Sequence, residues 1–167
     1  MDGENETTMD HDTTTTWSVQ GDAVVDGNTS ASPQNESLVI RQGAKALVRD
    51  DDEVLLVTER RDDGSTFCTL PGGGVEAGES RQECLQREYR EELNCRVDVG
   101  PPVGTCLYHH QTLPNTATVY TVFEATPAGR PRPNPREDVV ACHWQDPNAP
   151  PAETLEPFQR VLANISE

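Results

Sequence analysis

Glu79, Arg87, Glu88, Glu91 and Glu92 follow a run of three glycines, Gly72, Gly73 and Gly74, in the stretch LPGGGVEAGESRQECLQREYREELNCRV over residues 70–97. Carboxylates as close in sequence as Glu88, Glu91 and Glu92 repel one another, and two of them fall near the negative C-terminal end of a helix. A folded chain tolerates such a cluster when a cation compensates it. Oxygen ligands without any Cys or His favour Mg2+ or Mn2+, held by carboxylates together with substrate phosphates. The three glycines let backbone approach a metal and phosphates closely, and they also suit a tight turn.

The elements that present these groups are legible in the same stretch. Ser80 and Glu83 form an S-x-x-E capping box, so a helix begins at Ser80. Leu85, Tyr89 and Leu93 recur at helical spacing and make the stripe that faces the core. At about 100° per residue, Glu88, Glu91 and Glu92 fall within an arc of roughly 100° beside that stripe.

From Gly73 the order is Gly, five residues, Glu79, seven residues, then Arg87-Glu88-Tyr89-Arg90-Glu91-Glu92. This resembles the Nudix box of the Nudix (MutT-like) hydrolases, G-x5-E-x7-R-E-U-x-E-E-x-G-U with U apolar, and every charged position is filled. One position departs, because the second glycine of the box is Asn94 here. That position ends the helix and calls for a left-handed residue, for which Asn is the next choice after Gly. The resemblance covers Ser37 to Glu167, although its specific motif is only Gly73 to Cys95.

The resemblance implies an α/β fold, a mixed β-sheet sandwiched between α-helices (α/β/α). It implies hydrolysis of a nucleoside diphosphate linked to another moiety, with a metal-activated water attacking phosphorus. On that analogy Glu88, Glu91 and Glu92 face Mg2+ (or Mn2+) with Gly73 beside them, and Glu91 or Glu88 could instead accept the water's proton. Arg87 is expected to orient a carboxylate, Glu79, rather than touch substrate. Gly72 and Gly74 border the substrate, and Glu137 and Asp138 fit the place where family members carry a further acid before a strand ending in Trp. Each of those two acids is as readily a solvated loop residue. His109 and His110 end a strand, where a structural role is the more frequent one. The alternative reading is a non-catalytic Nudix-fold module that binds or senses a nucleotide, motivated by Asn94.

Composition bounds the setting. The 167 residues suffice for one domain with a sizeable core. Asp and Glu total 29 against 13 Lys plus Arg, a net charge of −16, and Lys45 is the only lysine. An acidic, lysine-poor surface suits a salt-filled cytoplasm, where molar salt shortens the Debye length to about 3 Å, and it points to a halophilic archaeon. The charge argues against nucleic-acid polymers and anionic membranes as partners and leaves a small-molecule nucleotide, bridged through a cation, compatible. Monomer and homodimer both remain open. Cys68, Cys84, Cys95, Cys106 and Cys142 are odd in number with no C-x-x-C pair, so neither a disulfide framework nor a zinc site is expected. Cys84 and Cys95 should pack as small apolar groups. With no signal peptide and no apolar run of membrane-spanning length, a cytoplasmic protein is the default. Melting temperature and activity are expected to fall together as KCl drops from molar to about 0.1 M, where the Debye length grows to about 10 Å. A melting temperature indifferent to KCl would overturn the halophile reading.

Residues 1–36 carry eight acids and no Lys or Arg, and read as a disordered acidic tail before a domain at 37–167. Composition favours disorder for Trp17–Val25 too, with an edge strand or dimer contact as the alternative. From Ser37, SLVI and AKALV are strand-like runs, DDDE is a turn, and VLLVTE is a strand. Phe67–Leu70 makes a short strand into the glycines. Arg96–Val99 and Val103–His109 read as two strands broken by Gly100-Pro101-Pro102. Ala117–Ala125 and Val139–Trp144 are strands, and a final helix sets Leu155, Phe158, Val161, Leu162 and Ile165 on one face with Pro157 in its first turn.

Overall fold

The computed structural model describes residues 16–17 and 37–165. One sheet has the order β1 (Thr16–Trp17), β2 (Leu38–Leu47), β7 (Thr116–Pro127), β6 (Val97–His109). β2 runs parallel to β7 from Val39/Thr116 to Leu47/Glu124, and the other pairings are antiparallel. In the second sheet β4 (Glu53–Arg60) pairs with β3 (Arg49–Asp50), β5 (Thr66–Thr69) and β8 (Val139–Gln145). Two helices, α1 (Arg81–Leu93) and α2 (Glu156–Ile165), cover the strands. The expected mixed β-architecture between helices is present, divided into two sheets.

Alternation along the strands builds one core under each helix. Ala44 and Ala46 of β2, Leu55 and Val57 of β4 and Phe123 of β7 pack with Leu85, Tyr89 and Leu93 of α1. Their neighbours Leu47, Val54, Leu56, Tyr120 and Val122 face the other way and pack with Phe158 and Leu162 of α2. The three residues of the α1 stripe are wholly buried, as their spacing requires. Cys84 and Cys95 lie in the α1 core, and burial pushes the Cys84 thiol up to about 12.

The structure corrects two readings. SLVI and AKALV belong to one continuous strand, β2. Gly100-Pro101-Pro102 does not break β6, which runs unbroken from Val97 to His109. Its register against β7 shifts on either side of Pro102 instead. β6 is the edge of its sheet, so prolines without an N–H can be carried there at irregular pairings. Thr16–Trp17 extends the other edge through pairing with Leu38 and Val39, inside the segment read as a tail. The rest of that tail, including 18–25, lies outside the described residues. Among the described residues no helix is long and apolar enough to cross a membrane.

Candidate active site

The glycine loop is laid along β2. Ala46 N–H donates to Pro71 O at 2.9 Å, Ala44 N–H to Gly73 O at 3.0 Å, and Val75 N–H to Gln42 O at 2.9 Å. The approach excludes a side chain at Gly72, and at Gly73 a side chain would displace the Glu88 carboxylate. Gly72 has φ +122°, and a Cβ there would meet Ala44 O at 2.3 Å. At Gly73 a Cβ would meet Glu88 Oε1 at 2.3 Å, whereas at Gly74 it would meet nothing within 4 Å. Close approach therefore explains Gly72 and Gly73 but not Gly74. Gly72→Ala should destabilise by about 3 kcal/mol or more through backbone strain and the clash. Gly74→Ala should stay within about 1 kcal/mol. Urea unfolding of both variants checks the contrast, and equal losses would refute it.

α1 starts where its cap demands. Ser80 accepts from Glu83 N–H at 3.2 Å, and Glu83 Oε2 accepts from Ser80 N–H at 2.7 Å. It ends at Asn94, left-handed at φ 48°, ψ 35°. Asn94 thus adopts the conformation that the glycine of the motif would supply, and its Nδ2 adds a bond to Arg132 O at 3.2 Å.

Between those ends Arg87 is the hub. Its Nε and Nη2 donate to Glu79 Oε2 and Oε1 at 3.1 and 2.8 Å. Nη1 reaches Glu88 Oε1 and Glu91 Oε2, both at 3.1 Å, and Nη2 also donates to Gly74 O at 3.0 Å. The guanidinium holds the Glu79 carboxyl below its ordinary range. Glu79 in turn caps the loop by accepting from Glu76 N–H at 2.7 Å. Burial raises Glu88 despite Arg87. Glu92 is 9% exposed, and burial pushes it up to about 8 although Gly72 N–H donates to its Oε2 at 3.3 Å. Four carboxylates are thus gathered at one loop and one helix face, three of them ordered by Arg87 and Glu92 held by Gly72 N–H.

Residues 39–164 match the family model of the NUDIX domain. The chain belongs to the Nudix family. Among solved structures its fold is similar to a MutT NUDIX hydrolase from Burkholderia pseudomallei, at TM-score 0.67 and 22% identity over 75% of this chain and 98% of that one. It is also similar to a MutT protein from Methanosarcina mazei Go1, at TM-score 0.65 and 19% identity over 75% and 91%. An ADP-ribose pyrophosphatase from Streptococcus suis gives TM-score 0.54 and 21% identity over 75% and 87%. No curated protein sequence matches the chain.

In this Nudix chain the cluster has a second basic neighbour that the motif does not contain. Lys45 is 4% exposed on β2, donates to Gly72 O, and stands 3.8 Å from Glu59 Oε1. Burial would lower its pKa, but Glu59, Tyr120, Glu92 and Glu88 outweigh that and hold it above the ordinary lysine value. Sequence reasoning missed the Lys45–Glu59 pair. The available signal was a lone charge inside the apolar strand AKALV, in a chain with no other lysine. Lys45 and Glu59 line a cleft of about 360 Å³ with Thr69, Tyr108, His110, Tyr120 and Phe158.

Other expected site residues are spread more widely. Glu137 closes a 3-10 turn, Pro135–Glu137, that follows Asn134. Asn134 docks on the end of α1, donating from N–H to Glu92 O at 2.8 Å and from Nδ2 to Glu91 O at 2.7 Å. Asp138, left-handed at φ 59°, pairs with Arg60 at 3.0 Å rather than with the box carboxylates. His110 shares a 2.8 Å hydrogen bond with Thr118 and lines the cleft, while His109 is exposed.

The donor set fits a hard divalent cation through its carboxylates and loop carbonyls. The Cys84 thiol lies beside them, donating to Gly73 O and Gly74 O at 3.6 and 3.4 Å, and burial keeps it protonated. Glu92 is the strongest indication, being a carboxyl whose burial is not fully compensated by Lys45 and Gly72. Among the described residues no three His, Cys, Asp or Glu groups converge as a ready metal cage. Glu88 and Glu91 each meet Arg87 through one oxygen, Oε1 and Oε2 respectively, so a cation can share the carboxylates with Arg87 through the other.

Proposed function

We propose that the chain is a Mg2+- or Mn2+-dependent hydrolase that cleaves the pyrophosphate linkage of a nucleoside diphosphate joined to another moiety. The observation that carries this is Glu88 and Glu92 held half to fully buried beside the Gly72–Gly73 loop, with Arg87 tying Glu88 and Glu91 to Glu79. Glu88, Glu91 and Glu92 would hold the cation with Gly73. When bound, it would acidify a water and neutralise charge on the phosphoryl oxygens. Arg87 and Glu79 orient the carboxylates, and Glu88 or Glu91 accepts the proton of the attacking water. Gly72 and Gly74 let the phosphates approach the backbone, and Glu137 and Asp138 border the substrate. The aromatic cleft beside Lys45 is of a size to receive a nucleoside. Likeness to an ADP-ribose pyrophosphatase and to MutT proteins supports this class of substrate without choosing within it.

The test is a panel at molar KCl with Mg2+ or Mn2+: nucleoside triphosphates, ADP-ribose, diadenosine polyphosphates and sugar nucleotides. Phosphate, pyrophosphate and nucleotide products are scored. No turnover of any of them in either metal would overturn the proposal. The binding-module reading rested on Asn94, and its left-handed conformation removes that motive.

A further inference from the structure

Lys45 occupies a position that bulk packing alone does not require. A buried ammonium needs its charge and its N–H groups satisfied, or the site favours an apolar residue of similar volume. Here every neighbour serves that purpose. Gly72 O accepts from Nζ, Glu59 Oε1 lies 3.8 Å away, and the rings of Tyr120 and Phe158 have centroids 5.3 and 5.5 Å from Nζ. The far side of the same Gly72 residue faces the carboxylate cluster, because its N–H donates to Glu92 Oε2 at 3.3 Å. Gly72 cannot tilt freely to satisfy both, since at φ +122° it lies against Ala44 O and the Lys45 Cα.

We propose that Lys45 is a positioning residue for the site, anchoring Gly72 by its carbonyl so that the N–H of the same residue holds the Glu92 carboxylate in place, with Glu59 and the two rings fixing Lys45. The inference rests on the functional reading above. It adds to it a residue outside the box on which the box geometry depends. The buried charge serves as a peg for a loop that must carry no side chain of its own. Its effect reaches the metal site through one backbone link, Gly72, which joins the lysine on the cleft wall to the Glu92 carboxylate.

The experiment compares Lys45→Met, which keeps length and apolar contacts, with Lys45→Arg, which keeps the charge and a donor. In Lys45→Met, kcat is expected to fall about 10²-fold, as misplacement of a site group does, with KM for the nucleotide changed by less than about threefold. Lys45→Arg should return to within about tenfold of the unaltered protein. Mn2+ affinity, read by electron paramagnetic resonance without any substrate, should weaken about tenfold in Lys45→Met, as loss of an outer-shell support does. Coulomb attraction alone predicts the opposite sign, because deleting a cation beside carboxylates tightens Mn2+ binding. Tighter or unchanged Mn2+ binding, or an unchanged kcat in folded protein, overturns the proposal. If Lys45→Met does not fold, the double variant Lys45→Met with Glu59→Gln removes the ion pair as a unit and carries the same Mn2+ expectation. If the unaltered protein cleaves no pyrophosphate substrate, the functional reading falls, and the Mn2+ titration still decides the role of Lys45.

Discussion

Glu92→Gln is expected to lower kcat by roughly 10²–10⁴-fold while leaving the metal-free fold at least as stable as before. The two halves of that expectation have one cause. Glu92 is 9% exposed, and burial pushes its carboxyl up to about 8. A glutamine fills the same volume and can still accept from Gly72 N–H, but it carries no charge to desolvate. The unaltered side chain costs stability whenever it is ionised without a cation. The glutamine does not, and it cannot ligate a cation as a carboxylate does. Rate loss together with an equal or higher melting temperature in EDTA is the expected signature. A variant with near-normal kcat would remove Glu92 from the site. A variant that loses activity because it unfolds would show the carboxylate to be a structural element.

Metal-free protein should lose stability as pH rises from about 6 to about 8 relative to Glu92→Gln, and Mg2+ should cancel the loss. The direction follows from linkage. The folded-state pKa of Glu92 is raised from 4.5 to about 8. Between those values the unfolded chain has released the proton and the folded chain retains it, so unfolding becomes easier as pH rises. The stabilisation is fully present below pH 4.5 and gone above about 8. The slope approaches one proton, about 1.4 kcal/mol per pH unit, and so amounts to a few kcal/mol across the window. Comparison with Glu92→Gln matters because other groups also titrate. His110 is lowered by burial, and the buried thiols of Cys84 and Cys106 are raised to about 12 and about 11. These contributions are common to both proteins and cancel in the difference. A cation binds the ionised carboxylate, so stabilisation by Mg2+ should grow with pH and reach about 2.7 kcal/mol at a hundredfold excess over Kd. Parallel stability curves for the two proteins in EDTA, measured by urea unfolding, would refute the buried-carboxyl account.

Sequence alone determined the parts whose physics is local. The Ser80–Glu83 capping box starts α1, the Leu85–Tyr89–Leu93 stripe turns it, and a left-handed residue at Asn94 ends it, because each is settled within a turn or two of backbone. The same periodicity put Glu88, Glu91 and Glu92 on adjoining positions, and the resemblance to the box linked Arg87 with Glu79, which the structure pairs at 2.8 Å. What spacing could not tell is which of the three carboxylates is buried. α1 packs so that Glu92 is enclosed while Glu91 stays half exposed, and only that packing raises the Glu92 carboxyl. Nor could it show what compensates the acids before any metal arrives. Arg87 serves Glu79, Glu88 and Glu91, and Lys45 reaches the cluster from a strand more than forty residues before Glu92. Spacing also gave no sign that residues 129–135, GRPRPNP, serve the helix end. In the fold, Arg132 and Asn134 donate to Leu93 O and Glu92 O and satisfy the end of α1. Local rules placed the box on its helix. The tertiary fold decided its electrostatics, because burial and partner charge depend on which distant strands close over it.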